Sequence, residues 1–167
     1  MPDGTNRRGG YFKMIFRRTL VGLAALITLI AAGCGFMSGL EDARELAEKF
    51  LNDRFVTGSV GNEAYYSDLF WKYTQQEDWR YIKNMVETQL GALQSYTLRT
   101  WNVQKNVKMG DLSGTFVILL YDTEYEYGKG QEKITLMKGF WDKDFQIIGH
   151  HFDSDIFART AETGHGV

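Results

Sequence analysis

A chain of 167 residues, 44% hydrophobic and 14% aromatic, has room for one domain with a substantial core and is not a disordered chain. Its net charge of −2 divides unevenly: residues 1–34 carry +4 and the remainder −6, so most of the chain repels phosphate backbones and nucleic acid is not an expected partner. The single cysteine, Cys34, excludes an intrachain disulfide, and with Pro2 the sole proline the turns must be built from Gly, Asp and Asn.

The first element in the chain is an export signal. Arg17 and Arg18 form a positive start, followed by an uncharged, mostly apolar run from Leu20 to Gly33. Its 14 residues suit a signal-peptide core, and they fall short of the ~20 needed to cross a bilayer as a helix. Ala31-Ala32-Gly33 then leads into Cys34. This segment resembles the bacterial lipoprotein signal, whose lipobox ends in small residues before a cysteine; Ala31 stands where leucine is commonest. The resemblance implies a diacylglyceryl group on the Cys34 sulfur, cleavage after Gly33, and acylation of the new amino terminus. Several acyl chains, at about 0.8 kcal/mol per buried CH₂, make a stable membrane anchor. The implied place is the bacterial cell envelope, and Gly35, where inner-membrane retention in two-membrane bacteria uses aspartate, points to the outer membrane of such a host. The alternatives are an uncleaved anchor or a cleaved signal that leaves Cys34 a free thiol. The stretch before Met14 is long for such a signal, which points to Met14 as the true start. The expected organisation is a signal over 1–33, a lipidated terminus and linker over 34–36, one domain over 37–157, and a disordered tail over 158–167.

Within the domain, Ser38 and Glu41 form a capping box. Leu40, Ala43, Leu46, Ala47, Phe50, Leu51 and Phe55 then recur at helical spacing until Gly58. After a turn at Ser59-Val60-Gly61-Asn62, Glu63 to Tyr73 reads as a second helix with Tyr66, Leu69, Phe70 and Tyr73 facing inward. Asp78 reads as the N-cap of a third, carrying Ile82, Met85, Val86 and Leu90 and ending at Gly91. Beyond Gly91 the period falls to two. Strands are expected over Tyr96–Val107, Thr115–Tyr127, Gln131–Trp141 and Asp144–Asp153, joined by turns at Lys108–Gly114, Gly128-Lys129-Gly130 and Asp142-Lys143. The fold class is α+β: three N-terminal helices packed on a curved four-stranded antiparallel meander. Helices followed by a meander ending in Phe140-Trp141-Asp142-Lys143-Asp144-Phe145-Gln146-Ile147-Ile148-Gly149-His150 resemble the nuclear transport factor 2-like superfamily. That group holds isomerases, dehydratases, ligand binders and dimerisation modules, so the resemblance implies a shape rather than a reaction.

Pairing Tyr127 with Gln131 across the Gly-Lys-Gly turn would set Tyr121 opposite Met137 and Thr123 opposite Thr135. Pairing Trp141 with Asp144 would set Thr135 opposite His150. Tyr121, Thr123, Thr135 and His150 are then the candidate lining of a cleft between helices and sheet; the alternative is that Tyr121 and His150 are satisfied core residues. The opposite face would carry Phe116, Ile118, Leu120, Ile134, Leu136, Phe140, Phe145 and Ile147, too apolar for a wet face, which implies a homodimer or an envelope protein partner there. Asp122, Glu124 and Glu126 read as a solvated hairpin end. His150 and His151 point to opposite faces, and no cluster, motif or phosphate loop calls for a metal or a cofactor beyond the lipid on Cys34. No catalytic residue is assigned. The functional expectation is a membrane-anchored domain that binds a small apolar ligand or an envelope protein. The alternative is a small isomerase or hydro-lyase using Tyr121 as oxyanion donor with Asp68 or His150 as base.

Overall fold

The structure, a computed structural model, describes residues 39–58, 60, 62–106 and 112–157. The expected signal, lipobox, Ser38 cap and tail, and most of the first interstrand turn, lie outside the described residues. The fold is a compact unit starting at Leu40. Helix α1 spans 39–57. A 3-10 turn follows at Glu63–Tyr65, then α2 at Asp68–Tyr73, α3 at Gln76–Leu90, and strands β1 (Leu93–Asn106), β2 (Gly114–Tyr125), β3 (Lys129–Gly139) and β4 (Gln146–Asp153). The strands form one antiparallel sheet in the order β1-β2-β3-β4. This is the α+β class expected from the sequence, helices first and meander second.

The apolar stripe of α1 buries Leu40, Ala43, Ala47, Phe50 and Leu51, but its last inward position belongs to Arg54, while Phe55 turns to solvent. The helix ends where Gly58 takes φ +67° and donates its N–H to Arg54 O at 2.8 Å, a left-handed stop that suits glycine. The segment expected as a single second helix is broken. Asn62 caps the 3-10 turn, and Tyr66 then leaves helical geometry to form a parallel bridge with Ile147. Ser67 donates its N–H to Ile147 O at 3.0 Å while its hydroxyl caps α2. The two residues thereby cover part of the free edge of β4, where open backbone groups would otherwise invite another strand. The break rotates the face presented, so Tyr66 and Phe70 are buried and Tyr73 is exposed. Helix α3 begins at Gln76, two residues before Asp78, and buries Trp79 with Val86 and Leu90. At Gly91, φ is +77° and a Cβ would stand 2.8 Å from Glu126 Cβ, so glycine is required there twice over.

The register of the sheet differs from the expected one, and the turn explains it. Glu126, Tyr127 and Gly128 make the β2–β3 turn, closed by Tyr125 N–H donating to Gly128 O at 2.7 Å. Glu126 and Tyr127 donate their N–H groups to Ala92 O and Leu90 O, both at 2.9 Å, so docking on the end of α3 fixes where the chain reverses. Lys129 and Gly130 are consequently already in β3, and Tyr121 stands opposite Glu132 instead of Met137. The displacement of five positions is odd and exchanges the faces of β3. Ile134, Leu136 and Glu132 face the helices; Thr135 does not. Between β3 and β4 a bulge at Thr135/Leu136 leaves Ile148 without a partner. That extra residue lets Ile147 and His150, three apart, both point to the core. Ile134, Leu136, Phe145 and Ile147, expected on the outer face, are core residues.

Candidate functional site

Under the helices, where α1 crosses β2, β3 and β4, lies a buried polar cluster. Glu132 is 0% exposed, Arg54 2%, and the His150 side chain 0% although the backbone of that edge-strand residue is part-exposed. Glu132 Oε2 accepts from Arg54 Nη1 and, at 2.8 Å, from His150 Nε2, while Oε1 accepts from the Tyr125 hydroxyl. Arg54 Nη2 donates on to the Tyr125 oxygen at 3.4 Å. On the far side of the imidazole, Tyr66 OH lies 2.9 Å from Nδ1. A carboxylate can only accept, so Nε2 carries the proton; in the neutral ring Nδ1 is then the acceptor and Tyr66 the donor.

Aromatic rings wall this cluster. Phe50, Tyr66, Trp79 and Phe152 surround the imidazole with centroids 4.3–6.2 Å away. The guanidinium lies 5.7 Å from the centre of Phe50 and 5.4 Å from that of Phe152, within cation–π range. These surroundings set the ionisation states. Burial alone pushes the Glu132 carboxyl up, but the Arg54 charge, the His150 and Tyr125 hydrogen bonds prevail and bring it down to about 2. Burial pushes His150 below the ordinary 6.5 against the pull of Glu132, leaving it neutral. Burial also raises the Tyr66 and Tyr125 phenols. The Arg54 guanidinium is disfavoured by burial, yet Glu132 outweighs that and raises it. The net charge of the cluster is therefore zero.

A Tyr–His–Glu relay has the connectivity of a base held by an orienting carboxylate. Here both imidazole nitrogens and both carboxylate oxygens are engaged by protein groups, and the ring is sealed from solvent. Its chemical capacity in this arrangement is to pin α1 and the Tyr66 segment to the sheet.

The four residues expected to line a cleft are not brought together. Tyr121, Thr123 and His150 face the helices, Tyr121 and Thr123 being buried with hydroxyls that find no hydrogen-bond partner among the described residues. Thr135, part-exposed, sits on the other face beside Gly149, a consequence of the shifted register. Asp68 is exposed at the start of α2, whereas the Tyr121 side chain is buried. Cys34 lies outside the described residues. Sequence reasoning missed Arg54 and Glu132, although a signal existed. Arg54 falls four residues after Phe50 and seven after Ala47, on the apolar stripe, and Glu132 alternates in phase with Ile134 and Leu136. A charge in phase with the core on two separate elements is the mark of a buried pair.

On the outer face, at the hairpin end of the sheet, an open cleft of about 690 Å³ is lined by Ser95, Thr97, Asp122, Glu124, Lys129, Gln131, Asp153 and their neighbours. Two of its acids, Asp122 and Glu124, are already engaged. Lys129 Nζ is 2.7 Å from Glu124 Oε1, and Gln131 and Arg99 donate to Asp122 Oδ1 at 3.0 and 3.4 Å. The Lys129 hydrogen bond and charge lower the Glu124 pKa. Among the described residues no group of three or more His, Cys, Asp or Glu side chains could hold a metal ion, and no helix is long and apolar enough to cross a membrane. Comparison with known protein families, with characterised proteins and with solved structures gave no significant match.

Proposed function

We propose that the chain is a bacterial envelope lipoprotein, anchored through acyl groups on Cys34, whose α+β domain is a binding module for another envelope protein or a second copy of itself. The observation that carries the anchor is the Leu20–Gly33 run delivering the sole cysteine of the chain to the end of a small-residue box. The filled interior supports a module over the isomerase or hydro-lyase alternative. His150, the candidate base, is occupied at both nitrogens, and a general base must come within hydrogen-bond reach of its substrate. The same filling favours a protein partner over a small apolar ligand, because Phe50, Tyr66 and Trp79 take the space such a ligand would use. On the outer face, part-exposed Phe116, Ile118 and Leu120 remain a candidate contact surface. The order of elements supports a nuclear transport factor 2-like ancestry.

The anchor is tested by intact mass spectrometry of the protein from the membrane fraction, beside Cys34→Ser. The expected result is a chain starting at Cys34 with acyl mass that the variant lacks; an intact precursor with a free thiol would refute it. Crosslinking in the native membrane and light scattering of the domain test the partner, and a monomer with no crosslinked neighbour would count against it.

A further inference from the structure

The two ends of the sheet differ in character, and one of them suits a lipid surface. The β3–β4 turn displays Phe140, 59% exposed, and Trp141, 98% exposed. Gly114 pairs with Gly139, so the end of the β1–β2 connection lies alongside and adds Leu112, 45% exposed. Three large apolar side chains at the tips of two adjacent turns lack the packing that apolar groups find in a core.

The start of α1 lies at this end. Asp42, Glu45 and Lys49 share a surface groove with Lys138, Lys143 and Phe145, the residues on either side of the β3–β4 turn. Cys34 precedes Leu40 by six residues, a tether of at most about 20 Å when fully extended. Resting on the anchor reading above, we infer that Leu112, Phe140 and Trp141 form a second membrane contact, dipping into the headgroup–acyl boundary of the bilayer that holds Cys34. Tryptophan is the side chain most suited to that boundary, with an apolar body and one N–H for the headgroups. Lys138 and Lys143 are matched there by Asp142 and Asp144, so the contact depends on apolar burial and not on anionic lipid. Three side chains bind weakly when free in solution; held close to the surface by a short tether they act at high effective concentration and orient the domain.

The test uses protein purified from the membrane, placed in phosphatidylcholine vesicles with or without bromine on the acyl chains, a short-range quencher of tryptophan emission. Mass spectrometry of the same sample reads the state of Cys34. Brominated lipid is expected to remove up to about a quarter of the emission, the share of one tryptophan among four, and Trp141→Phe is expected to abolish that loss. Trp141 is fully exposed, so the variant keeps the fold. Replacing part of the lipid with an anionic one is expected to leave the quenching unchanged. Equal quenching in wild type and variant, or none in either, overturns the contact. Quenching with acylated Cys34 supports both readings; quenching with unmodified Cys34 supports the contact and rejects the lipid anchor; acylated Cys34 without quenching rejects the contact alone.

Discussion

Replacing Glu132 by glutamine keeps the volume of the side chain and removes its charge, leaving the Arg54 guanidinium buried without a counter-ion. Removing one partner of a buried pair costs about 3–5 kcal/mol, because the remaining charge has neither water nor an opposite charge around it. Arg54 and Glu132 are 2% and 0% exposed, so screening by solvent gives no relief, and the Arg54 Nε has no hydrogen-bond partner among the described residues to soften the loss. A domain of this size holds about 5–15 kcal/mol in total, so the single variant stands near the edge of folding. With a urea dependence of about 2 kcal/mol per molar, its midpoint is expected to fall by about 1.5–2.5 M. The informative comparison is Arg54→Met combined with Glu132→Gln. It removes both charges, while the glutamine can still accept from His150 Nε2–H and donate to the Tyr125 oxygen. The double variant is expected to lie within about 2 kcal/mol of wild type, which against about 3–5 kcal/mol for each single is a coupling of at least about 4 kcal/mol. Urea unfolding of the isolated domain, followed by far-UV circular dichroism, measures all four corners of the cycle. A cost below about 1 kcal/mol for Glu132→Gln, or a double variant as unstable as the sum of the singles, would refute the buried-pair reasoning.

Acid is expected to unfold the domain in two stages. His150 is held below its ordinary 6.5, so the unfolded chain binds a proton there first and stability falls as the pH drops through 6.5. Glu132 is held at about 2 against an ordinary 4.5, so its contribution of about 3 kcal/mol is complete above pH 4.5 and is lost towards pH 2. Urea midpoints from pH 8 to 3 check both, and His150→Asn should remove the upper stage; a wild-type profile level between pH 7 and 5 would contradict the neutral imidazole. Tyr121→Phe removes a buried hydroxyl that has no partner among the described residues, and is expected to leave stability unchanged or raise it by about 1 kcal/mol. A loss above 1 kcal/mol in thermal unfolding would mean that the hydroxyl has a function in the core.

The sequence carried the helices, the meander and the stopping glycines because each rests on local chemistry: the period of the apolar residues, and Gly58 and Gly91 at left-handed positions. It did not carry the register. Two glycines flanking Lys129 made a plausible turn, and nothing local says that Glu126 and Tyr127 will be captured by the carbonyls of Leu90 and Ala92. One misplaced reversal then moved Thr135 out of the candidate cleft and hid the role of Glu132. The bulge at Ile148 was equally invisible, since it depends on partners in another strand. Tyr66 is inward, as its spacing predicts, yet not as part of a helix: the chain leaves helical geometry there to bridge Ile147.

The filled interior also bears on where any activity must be sought. The Arg54–Glu132 pair, the imidazole and its aromatic wall occupy the space between helices and sheet, so recognition falls to the surface, and the surface is polarised along α1. That helix of 19 residues spans about 28 Å. One end carries Leu112, Phe140 and Trp141, and the other the Asp122–Glu124–Lys129 cleft. If Cys34 and the apolar turns sit at a bilayer as proposed, the acidic cleft would stand about a helix length above the lipid, beyond the ~8 Å over which surface charge acts at physiological salt. A partner reaching the domain from the aqueous side would then meet that polar end first, and the flank of the sheet bearing Phe116, Ile118 and Leu120 second. Crosslinkers placed at Gln131 and at Ile118 would separate the two routes: capture at Ile118 alone would assign recognition to the sheet face and leave the acidic end as a solvated cap.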